Sequence, residues 1–546
     1  MAVSPILKIF PSVLAAGLLW KIIRSFLSSH PLDKIPGPPA ASPIAGNFPQ
    51  MFSPDGWEFQ RQIVEKYGSV IRLNGMFKAP ILYTYDPKAL YRIFIKDQHI
   101  YEEATTFIAT NRAIFGDGLL STLGDHHKKQ RKMLNPVFSI SHMRKMVPTF
   151  FSVTYSLRDI FLNKTKYGPR DIDMVTYITR AALEIVSQCG LGQSFDPLTV
   201  KEHEEHRYIS SMKLLGPLGK NAGMMIFRQI VMPLVYKYKL GTPRLHRLFI
   251  SLLPWPRMHK MRDTIDVMHE TSVEIVEGKK KAMQEGTNES LNQKDFMTIL
   301  LEDNSKASEE DRLPDNEVIA QISTLMFAAM DTTTYATSRI LHLLALHQDV
   351  QDKLRAEIRA AKRRFDGEPD YDQLSSLTYL DAVIRETLRR HPPIGTLPRE
   401  AHKDGILSLS KPVKTVDGKE ITELHVPKGT FLIISIDGSN TNPDLWGSDS
   451  FEWKPERWLS PLPDALLEAK IPGVYSHLMT FIGGGRACIG FKFSEMEMKV
   501  LLYTLIDLFK FEPSKEIFWN HIGISTPSVE REKLRPELPL LVSRAA

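Results

Sequence analysis

The stretch Phe481-Ile-Gly-Gly-Gly-Arg-Ala-Cys-Ile-Gly490 sets one cysteine among four glycines and an arginine, directly before an apolar helical run from Phe491 to Leu508. Glycine permits conformations and close approaches that other residues forbid, so a tight loop can present the Cys488 sulfur to a flat cofactor. A helix starting just after Cys488 and the cation Arg486 both favour thiolate over thiol. A phosphate-cradling loop would need a Gly-Lys-Ser/Thr ending, which is missing here.

Composition narrows the class around that loop. The chain has 546 residues, 43% of them hydrophobic, which is enough to bury one large core. No internal repeat, low-complexity tract or long Gly/Ser linker divides it, so a single large domain is expected. With two cysteines in very different settings, Cys189 and Cys488, no disulfide framework follows. Cys189, in the apolar stretch AALEIVSQCGLG, reads as a small buried hydrophobe. A net charge of +6 is mild for this length and gives no reason to invoke nucleic acid. Two basic clusters, His126 to Lys132 and His142 to Met146, read either as solvated helix faces or as a surface for an acidic protein partner.

Upstream, Pro5 to Leu27 is mostly apolar, interrupted by Lys8, Pro11, Lys21 and Arg24. It is a marginal span, and a cleaved secretory signal is the rival reading. Basic residues after the apolar run and the low cysteine count favour an uncleaved anchor with the bulk of the chain in the cytosol. Pro36-Gly37-Pro38-Pro39 then breaks the helix. The expected organisation is an N-terminal membrane anchor (1–30), a Pro-rich hinge (31–45) and a catalytic domain (46–546).

In the body, Val70 to Leu73 and Ile81 to Tyr85 read as short strands, with Asp86-Pro87 closing the second. Helical patterns dominate from about residue 88. NEVIAQISTLMFAAMDTTTYATSRILHLLALH reads as a long helix with Asp315 as N-cap and Glu317 in its first turn. It is apolar nearly all round its middle and should cross the interior. ELHVPKGTFLIISIDG reads as strands and turns. The fold class expected is mainly α with small β-sheets.

The cysteine loop resembles the F-x-x-G-x-R-x-C-x-G signature of the cytochrome P-450 superfamily, with Phe481, Gly484, Arg486, Cys488 and Gly490 in its five fixed places. Glu386-Thr-Leu-Arg389 resembles the family's E-x-x-R helix motif, and residues three apart share a helix face and can form an ion pair. Arg457 in Pro455-Glu-Arg-Trp458 is the third group expected to join them, in a structural role. Ala328-Ala-Met-Asp-Thr-Thr333 looks like the oxygen-binding motif, with Ala329 where glycine is usual. The resemblance gives Thr332 and Asp331 proton delivery to dioxygen; the alternative is that Thr332 back-bonds to a helix carbonyl. Gly124 to Arg131 resembles the W-x-x-x-R helix, with His127 in the tryptophan place. His127, Arg131 and Arg399 are thereby expected to bind haem propionates.

What the resemblance implies is a haem-thiolate monooxygenase with the cytochrome P-450 fold, in which haem b iron is held by Cys488. No flavin or Rossmann fingerprint is present, so electrons are expected from NADPH through a separate membrane-bound flavoprotein reductase. That partner would dock near Lys128, Lys129, Lys132 and Lys492. Residence on the endoplasmic reticulum membrane follows from the anchor. Family topology implies substrate contacts at Phe107, Ile108, Phe115, Met326, Phe327, Met330, Ile394, Thr396, Leu397 and Ile524. They are nearly all apolar, so a lipophilic substrate is expected. The segments look similar to fungal members that oxidise terpenoids in secondary metabolism. Rival readings are an oxygen-independent isomerase or dehydratase, a xenobiotic-oxidising member, and a haem-binding sensor or degenerate, inactive relative.

Overall fold

The computed structural model describes residues 30–199, 206–219, 222–285, 295–531 and 535–546. The expected anchor, residues 1–30, lies outside them except for its last residue, and among the described residues no helix is long and apolar enough to cross a membrane. The Pro-rich stretch is not a free connector. The Pro36 carbonyl accepts the Arg72 N–H at 3.0 Å, and the Pro38 carbonyl accepts the Asn74 amide at 3.2 Å. Gly37 lies so close to this strand that a Cβ there would sit 1.8 Å from the Arg72 carbonyl oxygen.

A mixed five-stranded sheet flanks a helical body. Its order is Val70–Asn74, Pro80–Thr84, Phe431–Ser435, Thr396–Ala401, Tyr101–Glu102, and only the Pro80–Thr84 and Phe431–Ser435 pair is parallel. Asp86 does not merely close a strand. Its carboxylate accepts the Ala89 N–H at 3.1 Å and so caps the turn of helix that follows. The SIDG end of the second predicted strand region is instead the start of a short helix, Ile436–Asn440, capped by the Ser435 hydroxyl. A three-stranded sheet, Arg170–Asp173 with Pro539–Arg544 and Phe509–Pro513, brings the chain's end back to its middle. Such long-range pairing leaves no local signature in sequence.

The interior helix runs Asp315–Leu346. Pro314 rather than Asp315 holds the cap position; Asp315 is already helical and pairs with Lys280 at 2.6 Å. Every residue from Thr333 to Ala345 is buried, as an all-round apolar pattern demands. Glu317 in its first turn accepts the Gln130 amide at 2.7 Å, tying this helix to Gly124–Leu134. The helix Phe491–Leu508 has the predicted bounds, and Phe493 packs edge-on to Phe150 at 4.9 Å. Cys189 is buried in the helix Met174–Leu191.

Candidate active site

The cysteine loop is pressed against backbone on two sides. Gly484 has φ +71°, and a Cβ there would lie 1.9 Å from the Phe94 carbonyl oxygen; one on Gly483 would lie 1.4 Å from that of Pro472. Only glycine fits either position. The Phe481 carbonyl accepts the Cys488 N–H at 3.0 Å, and Gln98 Oε1 accepts the Gly485 N–H at 2.9 Å. Phe481 meets Tyr475 edge-on at 5.5 Å, which seats the start of the loop. Gly490 is the N-cap of the following helix, and a Cβ there would make ordinary contact with Phe138 at 3.8 Å.

Cys488 keeps exposed surface although protein surrounds it, so it faces open space within the fold. Burial raises its thiol pKa, against a backbone hydrogen bond from Gly490 and the positive charge of Arg131. This corrects the expectation in two respects: the charge that acts on the sulfur is Arg131 rather than Arg486, and the net shift favours thiol. A coordinated metal ion removes such a proton outright.

Four cationic or basic side chains gather around the loop. Arg131 Nη1 donates to the Ala487 carbonyl at 2.6 Å. Arg486 Nη2 donates to the Thr122 carbonyl at 2.6 Å and to Glu102 at 3.4 Å. Arg399 Nη1 donates to Glu103 at 2.6 Å. His127 is buried rather than a surface residue, and burial, then Arg486 and Arg131, push it down to about 3, so its ring is neutral. Burial also lowers Arg486 and Arg131, yet a guanidinium stays charged at neutral pH. Arg399 Nη2 and Arg486 Nε are buried and have no hydrogen-bond partner among the described residues. Buried donors left open are costly unless a ligand takes them. Carboxylates above a reachable cysteine sulfur are what this donor set would satisfy, and haem carries two. The residues therefore fit haem, with Cys488 as the iron ligand. Glu102, Glu103 and Gln98 were missed from sequence; the adjacent acids in Tyr101-Glu-Glu103 were the available signal.

On the interior helix, Thr332 Oγ1 donates to the Ala328 carbonyl at 2.8 Å, so the back-bond weighed as an alternative is formed. Ala328 is exposed in the middle of a buried helix, and Leu325, Ala329 and Thr332 are half-buried. These four recur at i, i+3, i+4 and i+7, the stripe that faces open space. Met326 and Met330 lie off that stripe, 1% and 3% exposed, and pack in the core, as do Ile108 at 0% and Phe115 at 6%. Their expected substrate contact is corrected on helical phase: placing Thr332 at the cavity selects Leu325, Ala328 and Ala329. Phe327 is half-buried and its ring lies 4.9 Å from that of Phe115. Phe107, Ile394, Thr396, Leu397 and Ile524 are half-buried as well, and Ile394 bridges to Ile524.

The E-x-x-R pair is fully buried. Arg389 Nε and Nη2 donate to the two Glu386 oxygens at 2.8 Å each, and the remaining donors reach the carbonyls of Asn440, Ser450 and Glu452. Glu386 also accepts from Trp458 Nε1 at 3.0 Å, the Lys454 N–H at 2.9 Å and Arg457 Nε at 3.4 Å. Arg457 is held in turn by Asp449 at 2.8 Å. Asn440 carries the network to the cysteine loop: its side chain accepts the Met479 N–H at 2.8 Å and donates to Thr480 Oγ1 at 2.9 Å.

Comparison with known proteins agrees with this geometry. Residues 36–523 match the family model for cytochrome P450. The chain is 47% identical to cytochrome P450 monooxygenase 91 of Postia placenta, covering 98% of this chain and 99% of that one. It is 46% identical to cytochrome P450 monooxygenase 212 of the same fungus over 96% of this chain and 97% of the relative. With a ganoderic acid synthetase of Ganoderma lucidum it shares 41% identity over 97% of each. Family match, near-full-length relatives and a cysteine loop ringed by unsatisfied guanidinium donors lead to one conclusion: the chain belongs to the cytochrome P450 family and is an enzyme of its monooxygenase class.

Proposed function

We propose that this enzyme inserts one oxygen atom from O2 into a lipophilic, terpenoid-like natural product, drawing electrons from NADPH through a separate flavoprotein reductase. The observation that carries the reading is an exposed Cys488 in a loop whose own Arg486, together with Arg399, keeps a buried donor unpaired among the described residues. Haem bound there, with the cysteine as thiolate, supplies dioxygen activation and oxygen-atom transfer. The chain's own residues do the rest. Arg131, Arg399, Arg486 and neutral His127 orient the carboxylates. The Thr332 hydroxyl, whose proton is committed to Ala328, keeps its lone pairs for a water or a protonated group in the cavity. Asp331, one residue away and half-buried like Thr332, is the acid nearest in sequence for proton supply. The Leu325, Ala328 and Ala329 stripe and the Phe327 ring, backed by buried Phe115, present an apolar wall, which selects an apolar substrate and keeps bulk water out. The name of the Ganoderma lucidum relative supports a terpenoid-like substrate.

We place the enzyme on the cytosolic face of the endoplasmic reticulum membrane. Support within the fold comes from the helix Pro243–Leu252, where Leu245, Leu248, Phe249 and Leu252 are 56%, 56%, 59% and 74% exposed. They fall on one face, with Arg244 and Arg247 among the intervening residues, the pattern of a helix lying in a membrane interface. For the reductase, Lys128 and Lys132 are exposed but paired with Asp125 and Asp311 at 2.9 Å and 2.7 Å. Exposed pairs of this kind exchange readily for a partner's carboxylates.

The test is a reduced, carbon monoxide difference spectrum of the membrane fraction, followed by product analysis with and without NADPH. Thiolate-ligated haem gives a strongly red-shifted Soret band, which must vanish in Cys488→Ala. Product formed without NADPH and reductase would overturn the monooxygenase reaction while leaving the haem assignment intact.

A further inference from the structure

A cavity of about 330 Å³ opens between the helix Gly56–Tyr67, the ends of the mixed sheet and the hairpin Phe518–Asn520 with Thr526–Ser528. It shares no lining residue with the haem site or with the predicted substrate contacts. Arg339, which lines it, lies seven residues beyond Thr332, about 10 Å along the helix axis at 1.5 Å per residue.

The depth of this cavity is cationic. Arg339 is 8% exposed and makes no hydrogen bond or ion pair with any described residue. Its guanidinium lies 3.5 Å from the centroid of the Trp519 ring, and Trp519 is held in place by donating Nε1 to His342 Nδ1 at 3.1 Å. A guanidinium stacked on an aromatic face keeps its in-plane N–H donors free. Arg390 uses only Nε, which donates to the Phe451 carbonyl at 2.7 Å. His391 and His521 also line the cavity, and burial together with the two arginines keeps both neutral. Asp437 is the one acid at depth, and no ion pair within 4 Å joins it to either arginine among the described residues. Asp55, at the rim, is taken by Arg531 at 3.5 Å. Two guanidiniums thus face one carboxylate, and one anionic group would balance the charge. A buried cation without a partner is strongly unfavourable unless something pairs with it. The mouth is mixed: Trp57 and Phe451, each 40% exposed, give it apolar surface beside Arg61, which pairs with Glu58 at 3.0 Å, and the Asp55–Arg531 pair.

We propose that this cavity is a second binding site, for a small amphipathic carboxylate. The carboxyl group lies between Arg339 and Arg390, where it accepts hydrogen bonds from both, and the apolar body extends past Trp519 toward Trp57 and Phe451. Cavities of this size are at the lower end of those that enclose small organic ligands. The site stands apart from the reaction proposed above, and its failure leaves that reading untouched.

The test is calorimetric titration of the haem-loaded enzyme with octanoate, 1-octanol and inorganic phosphate, with 4-phenylimidazole saturating the haem iron throughout. Octanoate should bind at one site per chain. 1-Octanol should bind at least about tenfold more weakly for lack of the charge-assisted bonds, and phosphate likewise for lack of an apolar body. Arg339→Gln should weaken octanoate by about tenfold or more and leave the Soret spectrum and phenylimidazole binding unchanged. Arg390→Gln gives the same loss and serves if Arg339→Gln does not fold. Displacement of octanoate by phenylimidazole, equal binding of 1-octanol or of phosphate, or full octanoate affinity in a folded arginine variant would each overturn the proposal.

Discussion

Two buried clusters of charge lie on either side of the cysteine loop, and they differ in how completely they are satisfied. The Glu386 carboxylate and the Arg389 guanidinium, both 0% exposed, find a partner within the chain for each of their own donors and acceptors. Around His127, Arg131, Arg399 and Arg486, two guanidinium nitrogens are buried and open. The first cluster is complete without a ligand, and the second is completed by one. Burial of charge alone therefore does not separate these two clusters; the open guanidinium donors beside the cysteine loop do.

The comparison predicts different failures. Arg389→Ala leaves the Glu386 carboxylate buried without its bidentate partner and strips three carbonyls of their donor. Breaking a buried pair on one side costs about 3–5 kcal/mol, so little folded protein should accumulate, measured as soluble yield and melting temperature with or without added haem. Arg486→Gln should instead leave a folded chain that holds haem poorly. Losing charge-assisted bonds to a carboxylate costs about 1.5–3 kcal/mol, which should appear as about ten- to hundredfold faster haem transfer to apomyoglobin. Equal loss of folded yield in both variants would erase the distinction between the clusters.

How far each cluster was legible in sequence follows the same division. The signature residues of both were readable because family resemblance places them by position, and the helices that carry them were readable because 3.6-residue periodicity is local. The partners were not. Glu102 and Glu103 reach the arginines from the end of a two-residue strand and the residue after it, and Asn440 reaches Arg389 from the end of a short helix 51 residues along the chain. The three-stranded sheet that closes the fold was equally invisible, since its first strand is separated from the other two by more than 300 residues. Met326 and Met330 were misplaced for another reason. Their apolar character fits a substrate wall and a core equally well, and only helical phase relative to Thr332 tells the two apart.

Asn440 joins the two clusters and allows a finer test. Its backbone carbonyl receives Arg389 while its side chain holds Met479 and Thr480 at the start of the cysteine loop. Asn440→Ala keeps the first contact and removes the second pair, leaving a buried N–H unpaired at a cost of about 1–3 kcal/mol. The expected outcome is an Arg389 cluster of nearly normal stability with a loosened loop, seen as faster haem loss than in the parent but slower than in Arg486→Gln.

The smallest effect expected comes from Trp458→Phe. Trp458 donates to Glu386 Oε2, but that oxygen also accepts from Arg389 Nε at 2.8 Å, so the carboxylate stays paired when the indole N–H is lost. Phenylalanine keeps most of the contact that Trp458 makes with Trp446, whose ring lies 5.7 Å away. The variant therefore loses one hydrogen bond and a little buried area but exposes no unpaired charge, and about 1 kcal/mol is the scale for such a change. Thermal unfolding of the haem-loaded protein should shift by a few degrees at most, with haem transfer unchanged. A loss as large as that of Arg389→Ala would mean that Glu386 needs all of its donors at once. The cluster would then be no more self-sufficient than the open one beside it, and satisfaction would not be what distinguishes scaffold from site.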